Sequence, residues 1–329
     1  MSRRVPLTTA ETQAAFGGYF KAFIKWTLFL LVVYFVGRAL WHQLQEIDWA
    51  TVQFRAWPVI AAVVCLLGVS SVQMISYRML LAAYAHAPDW LSMAAVAWVP
   101  PLGKYVPGKI ASIAGAVYLL RRFDVPPAVA LSVVLVLDGL AVVAGLITGA
   151  PLLLWDPIRQ YLPSAWIWCL AMIIGGLVVL HPRTFGVLIN FALRRLRRPP
   201  LQRMPSLRYY IVPVICAFSQ WFFAGLALWF MTRAITDEVP ITRLPLFISI
   251  AALAMTISYL ALFAPGGLGV REEIYRRTLT LILGPQAALI VVAMRLAQTL
   301  VEIVVASLGL LVLRGMRRSA AAVQAGAGS

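Results

Sequence analysis

Charged side chains are scarce in this sequence, and their scarcity excludes an ordinary soluble domain. Only 12% of the 329 residues are charged, whereas 62% are hydrophobic, and the mean hydropathy is +0.86. A soluble domain carries roughly twice that charged fraction and a smaller apolar one. We therefore predict an integral membrane protein.

Acidic residues are the scarcer kind of charge, with 12 of them against 28 basic residues and a net charge of +16. A basic balance can indicate nucleic-acid binding, but here the basic residues lie between hydrophobic spans and not along one face. That distribution is typical of cytoplasmic loops that meet anionic head groups. The sequence therefore predicts a membrane lipid as the partner and no nucleic acid.

Cysteine and histidine are also rare, with three of each. Each cysteine lies inside an apolar stretch without CxxC spacing, and the histidines are scattered at the ends of spans. These residues are Cys65, Cys169, Cys216, His42, His86 and His181. The pattern predicts no disulfide, no metal or haem site and no cofactor. Neither a GxxxxGK(S/T) run for ATP nor a DxD or HxxxD pattern is present, so we expect no catalytic residues and no enzyme activity.

Long hydrophobic runs account for most of the chain. A membrane-spanning helix needs about 20 apolar residues. Six runs fit that length, at 22–41, 57–83, 127–154, 164–181, 209–232 and 286–313. Two further regions, 91–120 and 244–283, are interrupted by proline, glycine and charge, which favours helical hairpins that enter the membrane and return. The expected organisation is a cytoplasmic segment over 1–21, a transmembrane domain over 22–315 and a disordered cytoplasmic tail over 316–329.

Basic loops give this arrangement an orientation, because loops rich in lysine and arginine stay in the cytoplasm. The 182–208 connection carries seven arginines and both termini are basic, so all three are expected on the cytoplasmic side. With six spans and two re-entrant hairpins, the 42–56 and 155–163 loops face outward. The 91–120 hairpin then enters from the cytoplasm and the 244–283 hairpin from outside. The sequence therefore predicts an all-α polytopic fold with an inverted repeat.

Each hairpin is broken by a Pro-Gly sequence, and the two breaks occupy matching positions in the two halves. The broken-helix residues are Pro107 and Gly108 in the first half and Pro265, Gly266, Gly267 and Gly269 in the second. In lipid, backbone that leaves a helix must be buried in protein or line a wet cavity. Paired breaks of this kind are typical of transporters, in which the binding site lies between the repeats.

Charged residues beside the breaks are candidates for a binding site. Lys104 and Lys109 flank the first break, where they could meet a lipid phosphate. Lysines at this depth often extend to the interface instead, so for both residues that alternative stays open. Arg271 and Glu272 follow the second break at the start of a half-helix, whose N–H groups together with an arginine can hold an anion.

Four polar residues of the last span share one helical face. Arg295, Gln298, Thr299 and Glu302 recur at three- and four-residue spacing. Ionisable groups inside a membrane usually face a partner or a wet cavity. Asp138 takes the place in the first half that Arg295 takes in the second. One interpretation is a substrate site that includes Asp138, Arg295 and Glu302, and the other is a structural ion pair of Arg295 with Glu302 or Asp138.

Two further patterns concern packing and solvation. Glu272–Arg276 and Glu273–Arg277 have the spacing of ion pairs within a helix. For Glu273, Arg276 and Arg277 we favour a solvated helix face. A ladder of small residues allows close packing of the 127–154 span against other helices. It consists of Ala141, Gly145 and Gly149.

Four stretches of the chain carry family signatures. The run Pro265–Glu272 reads PGGLGVRE, Tyr105–Lys109 reads YVPGK, Tyr118–Arg122 reads YLLRR and Ser76–Leu81 reads SYRMLL. Together they resemble the lysylphosphatidylglycerol synthase transmembrane region, also called the flippase-like domain. Arg295 falls where this family tends to keep an arginine. The similarity covers nearly the whole chain.

This resemblance implies a multi-pass protein of the bacterial inner membrane that takes part in lipid translocation. In two-domain relatives a soluble domain aminoacylates phosphatidylglycerol and the membrane domain flips the product. Here the chain ends soon after its last span, so we expect no aminoacyl transfer. The leading hypothesis is a lipid flippase or lipid-transport factor for an anionic phospholipid or a lipid-linked intermediate.

Two alternatives and an oligomeric state stay open at this point. One alternative is a membrane-embedded transferase that acts on polyisoprenyl or glycolipid substrates. The other is a non-transporting scaffold for a lipid-modifying partner, such as a lipid-synthesis enzyme or a glycosyltransferase. The small-residue ladder would also allow a homodimer.

Overall fold

The computed structural model describes residues 54–86, 88–105, 110–195, 199–201, 205–236, 239–261 and 269–326, together with residues 41 and 45. The predicted N-terminal segment and all but the last residue of the predicted first span lie outside these ranges. Throughout the described part, the regular structure is helical, which confirms the all-α fold.

We number ten helices within the described residues. They are α1 (Ala56–Ala82), α2 (Trp90–Trp98), α3 (Ile110–Arg121), α4 (Pro127–Leu154), α5 (Ala165–Leu180), α6 (Pro182–Arg195), α7 (Ile211–Arg233), α8 (Leu244–Leu260), α9 (Val270–Leu283) and α10 (Ala287–Gly326). Short helical turns accompany them at Pro100–Tyr105, Asp156–Arg159, Leu207–Tyr210, Ile241–Arg243 and Gly284–Gln286.

Five helical segments are long and apolar enough to cross a membrane. They are Ala56–Ala82, Pro127–Leu154, Leu207–Arg233, Ile241–Leu260 and Val270–Met316. A sixth is obtained if α5 and α6 count as one bent span. Helices α1, α4, α7 and α10 begin within two residues of four of the predicted spans. A polytopic membrane protein is therefore confirmed.

The predicted span at 164–181 is bent at its end. Helix α5 has 16 residues, which reach about 24 Å, less than the roughly 30 Å of a bilayer core. His181 adopts φ −59° and ψ 131°, because the residue before a proline is pushed out of the helical region. Pro182 then starts α6 at 74° to α5.

The first arm of the predicted hairpin at 244–283 is a long helical segment. Ile241–Leu260 contains 20 residues, which is enough to cross the membrane. The second arm, α9, begins at Val270 after the break. The re-entrant form of both hairpins, and with it the inverted repeat, stays a prediction.

The last helix is longer than the sequence predicted. Helix α10 continues to Gly326, so most of the 316–329 segment is helical and not the disordered tail that we expected. The segment is rich in alanine, at Ala320–Ala322 for example. Alanine has the highest helix propensity of all residues, which outweighs the lack of a hydrophobic pattern here.

The small-residue ladder of α4 faces α7 and α8. The Trp221 indole N–H on α7 donates a hydrogen bond to the Ala141 carbonyl at 2.9 Å. A Cβ on Gly145 would lie 2.0 Å from Thr256 Oγ1 on α8. Gly149, one turn further, also leaves no room for a side chain beside α8. The ladder therefore serves packing within the chain, as predicted.

Helix α10 packs against elements from both predicted hairpin regions, 91–120 and 244–283. Helix α2 and the short 3-10 helix Pro100–Tyr105, from the first hairpin, pack against it. Helix α9, from the second hairpin, packs against both α8 and α10. Polar residues on the inward face of α10 therefore lie within reach of both hairpins.

Candidate functional site

Most of the charged residues that the sequence identified as candidates lie close together beside or on α10. Lys104 approaches from the first hairpin, Arg271 and Glu272 from α9, and Arg295 and Glu302 belong to α10 itself. Arg271 also interacts electrostatically with Glu302, and Lys104 with both arginines. These five side chains form one contiguous group, which we term the charge cluster.

Glu272 is the centre of the charge cluster and is almost completely buried. Its side chain is 5% exposed and that of Arg271 is 6% exposed. Glu272 Oε1 accepts hydrogen bonds from Arg271 Nη2 at 3.1 Å and from Arg295 Nη1 at 3.0 Å. Its Oε2 accepts a third from the Gly269 backbone N–H at 2.8 Å. A buried charge is tolerated when it is paired and hydrogen-bonded, and three donors meet that requirement here.

The start of α9 gives Glu272 its position. Gly269 has a φ of +87°, a left-handed conformation that glycine adopts without the clash of a Cβ. The chain then enters α9 at Val270. The carboxylate of Glu272, the third helical residue, folds back onto the Gly269 N–H, as the acidic member of a capping box does. The residue that caps the helix is therefore also the ion-pair partner of two arginines.

Lys104 and Glu302 form the more accessible part of the charge cluster. Lys104 Nζ lies 2.5 Å from Glu302 Oε1, and their side chains are 27% and 25% exposed. The pair joins the first hairpin to the last span. For Lys104 the sequence left snorkelling and binding open, and the structure directs its ammonium group to a carboxylate inside the protein.

Two buried side-chain oxygen atoms near the charge cluster have no hydrogen-bond partner in the described part of the chain. Tyr275, one turn after Arg271 on α9, is 2% exposed and its hydroxyl is unpartnered. Gln298, on the same face of α10 as Arg295, is 6% exposed and its Oε1 is unpartnered. Since buried polar groups are normally hydrogen-bonded, these two atoms mark places for water or for polar atoms of a ligand.

The composition of the charge cluster suits an anion. Its five side chains are three cations and two carboxylates, so they carry one positive charge in excess. Lysine and arginine donate strong hydrogen bonds to phosphate oxygens. Arginine does not deprotonate in proteins, so the two arginines are suited to holding charge and not to transferring protons.

Asp138 lies in a different setting from the charge cluster. Helices α4, α5 and α6 and the end of α8 line an apolar cavity of about 670 Å³, and Asp138 and Tyr259 belong to its lining. The Tyr259 hydroxyl forms a hydrogen bond with the Asp138 carboxylate, and Tyr77 interacts with that carboxylate electrostatically. The pairing of Asp138 with Arg295 stays a prediction.

The other face of α9 carries exposed ion pairs. Glu273 accepts two hydrogen bonds from Arg276, both at 2.7 Å, and one from Arg277 at 2.6 Å. The side chains of Glu273 and Arg277 are 40% and 74% exposed. The predicted Glu273–Arg277 pair is confirmed. The predicted Glu272–Arg276 pair is wrong, because Glu272 turns inward to the charge cluster.

The remaining predicted site residues lie outside the described ranges. They are Lys109, Pro107, Gly108, Pro265, Gly266 and Gly267. Gly269 is the one broken-helix residue that the structure describes, and its positive φ fits the role of a chain reversal before α9.

Two tyrosines near the candidate residues were missed from the sequence. Tyr275 interacts electrostatically with Arg271 and Glu272. It follows Arg271 by four residues, so helical spacing could have placed it on the same face. Tyr259 contacts Asp138 from another helix, and no spacing rule connects residues on separate helices.

Comparison with known protein families identifies the chain as similar to a family of membrane domains. The family model described as the lysylphosphatidylglycerol synthase TM region matches residues 22–314. The match includes both broken hairpins and every residue of the charge cluster, and it confirms the resemblance drawn from the sequence. No curated protein sequence matches the chain.

Proposed function

The chain belongs to the lysylphosphatidylglycerol synthase TM region family, and on this premise we propose that it moves a membrane lipid as a flippase or lipid-transport factor. The proposed substrate is an anionic phospholipid or a lipid-linked intermediate, and the proposed site is the charge cluster. The protein is then a transporter and not an enzyme. Its proposed place is the bacterial inner membrane, with both termini in the cytoplasm.

The observation that carries the proposal is the charge cluster itself. An ionisable side chain at the centre of a membrane helix costs about 2.5–3.5 kcal/mol, so such groups are rare and usually functional. Here two such groups on α10, Arg295 and Glu302, meet three further ionisable side chains from the first and last parts of the chain. Their excess positive charge supports an anionic head group as the ligand, and the unpartnered Tyr275 hydroxyl nearby is a further donor for it.

A gradient of exposure across the cluster suggests how a phosphate could be taken up. Arg271 and Glu272 are buried and fixed by the start of α9, whereas Lys104 and Glu302 are about a quarter exposed. A phosphate that approaches from the accessible side competes with Glu302 for Lys104. It then meets Arg295, which is hydrogen-bonded to Glu272 and interacts electrostatically with Lys104. In this mechanism Arg271 fixes Glu272, Glu272 holds Arg295, and the Lys104–Glu302 pair opens.

Transport in proteoliposomes tests the proposal. Fluorescent phosphatidylglycerol and fluorescent phosphatidylcholine are each followed from one leaflet to the other with a membrane-impermeant quencher. We expect the purified protein to move phosphatidylglycerol faster, and Arg295→Ala to lower that rate to the level of protein-free vesicles. Arg277→Ala is the matched control, because it removes an exposed arginine from α9 and should leave the rate unchanged.

Equal transport by Arg295→Ala and by the wild-type chain would contradict the proposed site. Absence of transport of either lipid by the wild-type chain would favour the alternatives. A transferase would then be sought with polyisoprenyl-linked and glycolipid substrates. A scaffold would tolerate substitutions in the charge cluster but not on the surface that contacts its partner.

A further inference from the structure

Helix α6 presents a second basic site, remote in sequence from the charge cluster. Arg183, Val187, Asn190, Phe191 and Arg194 recur at three- and four-residue spacing, so they form one stripe along the helix. Together with Pro205 they line a surface cavity of about 630 Å³. The stripe has an arginine at each end and apolar side chains between them.

The angle between α5 and α6 places this stripe at the membrane surface. Helix α5 is apolar along its length, α6 is amphipathic, and the two helices meet at 74°. We place α5 within the apolar layer of the membrane, and this angle then sets α6 near the bilayer plane. Its inward face is apolar, with Phe185, Ile189 and Leu193 buried in the protein core. A helix of this kind lies at the boundary between head groups and acyl chains.

The cavity has a second wall that the protein holds in place. The Asn190 side chain accepts a hydrogen bond from the Leu201 N–H at 2.7 Å and donates one to the Leu201 carbonyl at 3.3 Å. These two bonds tie the returning chain to α6, and Pro205, further along that chain, faces the cavity. The site is therefore a shaped concavity and not a bare helix face.

We propose that this cavity binds the phosphate head group of an anionic phospholipid from the surrounding bilayer. Arg183 and Arg194 are exposed and supply guanidinium donors for phosphate oxygens. Val187 and Phe191, 71% and 72% exposed, supply apolar surface for the start of an acyl chain. A free anion has no apolar part that would bind this surface, so we infer that the ligand is a lipid.

This surface site differs in kind from the charge cluster. Within the described lining of the cavity there is no carboxylate to neutralise Arg183 and Arg194. In the charge cluster, by contrast, Glu272 and Glu302 neutralise most of the positive charge. The site fits a lipid that stays bound at the protein surface, and its role does not depend on transport through the cluster.

Lipid retention tests the surface site. The full-length protein is reconstituted in mixed phosphatidylglycerol and phosphatidylcholine membranes and extracted in mild detergent, and the retained lipids are counted by native mass spectrometry. We expect Arg183→Gln/Arg194→Gln to weaken phosphatidylglycerol retention about tenfold or more, since each arginine near the surface contributes about 1 kcal/mol. The control Arg121→Gln/Arg122→Gln removes the same charge from another exposed pair and should change retention little.

Two further arms separate a lipid site from other anion sites. Phe191→Ser should lower retention several-fold, and excess inorganic phosphate should fail to release the lipid. In an Arg295→Ala background, which removes lipid binding at the charge cluster, Arg183→Gln/Arg194→Gln should still lower retention by the same factor, because the surface site is independent of the charge cluster. The proposal is overturned if Arg183→Gln/Arg194→Gln retains as much phosphatidylglycerol as wild type or loses no more than the control. Release by inorganic phosphate alone would also overturn it.

Discussion

Glu272 and Glu273 are neighbours in α9 and each pairs with two arginines, but their surroundings are opposite. Glu272 is 5% exposed, and its partners Arg271 and Arg295 come from two helices. Glu273 is 40% exposed, and both of its partners lie on α9 itself. The buried glutamate does not have the shorter contacts, because its ion pairs measure 3.0 and 3.1 Å and those of Glu273 measure 2.6 and 2.7 Å. Exposure to water and the origin of the partners separate them.

This comparison shows that similar ion pairs can have different purposes one residue apart. Water screens the pairs of Glu273, and their partners lie on the same helix, so they contribute little beyond solubility. Glu272 binds two helices together in a place that water hardly reaches, so loss of its charge removes a buried partner from two arginines. An energetic contrast between the two glutamates is therefore the first consequence to test.

The largest effect is expected for Glu272→Gln. The amide keeps the size of the side chain but removes the charge that both Arg271 and Arg295 need. Removing one partner of a buried pair costs about 3–5 kcal/mol. The free energy of unfolding of the detergent-solubilised protein, measured by titration with SDS, should fall by that amount. A fall in the free energy of unfolding as small as the one expected for Glu273→Gln would show that burial does not make the two glutamates differ.

An intermediate effect is expected for Lys104→Met, at the accessible end of the charge cluster. The substitution leaves Glu302 without its lysine, but the carboxylate is a quarter exposed and can be hydrated in part. We expect a loss of about 1–2 kcal/mol, between the values for exposed and buried pairs. Combining Lys104→Met with Glu302→Gln should restore part of this loss. Strict additivity in that cycle would show that the pair contributes nothing to stability.

The smallest effect is expected for Glu273→Gln, which matches Glu272→Gln in chemistry and differs in position by one residue. Exposed pairs contribute less than about 1 kcal/mol. The loss should shrink further as salt is added, because salt screens exposed charges more than buried ones. The same SDS titrations at low and high ionic strength provide the measurement. A loss that is large and independent of salt would show that this face of α9 is buried in the membrane-bound protein.

The helices and the family could be predicted from the sequence because both depend on local patterns. Apolar runs gave the starts of α1, α4, α7 and α10 to within two residues. The PGGLGVRE run identified the helix start that carries Arg271 and Glu272. Helical spacing predicted that Arg295 and Glu302 share one face of the last span. In the structure both residues belong to the charge cluster, where Arg295 contacts Glu272 and Glu302 contacts Lys104.

The choice of ion-pair partners could not be predicted, because it depends on the packing of separate helices. The i,i+4 rule gave Glu273–Arg277 correctly but also gave Glu272–Arg276, since spacing alone does not tell which side of α9 is buried. The pairing of Lys104 with Glu302 joins segments from opposite halves of the chain. The local pattern was also a poor guide after residue 316. Its composition predicted a disordered tail, whereas the alanine-rich segment continues helix α10.

The most direct test of the account is whether a phosphate head group binds at the charge cluster. Short-chain phosphatidylglycerol and phosphatidylcholine are titrated into detergent-solubilised protein that carries Arg183→Gln/Arg194→Gln, so that the surface site does not contribute, and Tm is followed. A ligand that binds the native state raises Tm with its concentration. The account predicts that phosphatidylglycerol raises Tm more than phosphatidylcholine, that Arg277→Gln keeps this difference and that Arg271→Gln abolishes it. Equal responses of the Arg271→Gln and Arg277→Gln proteins would contradict it.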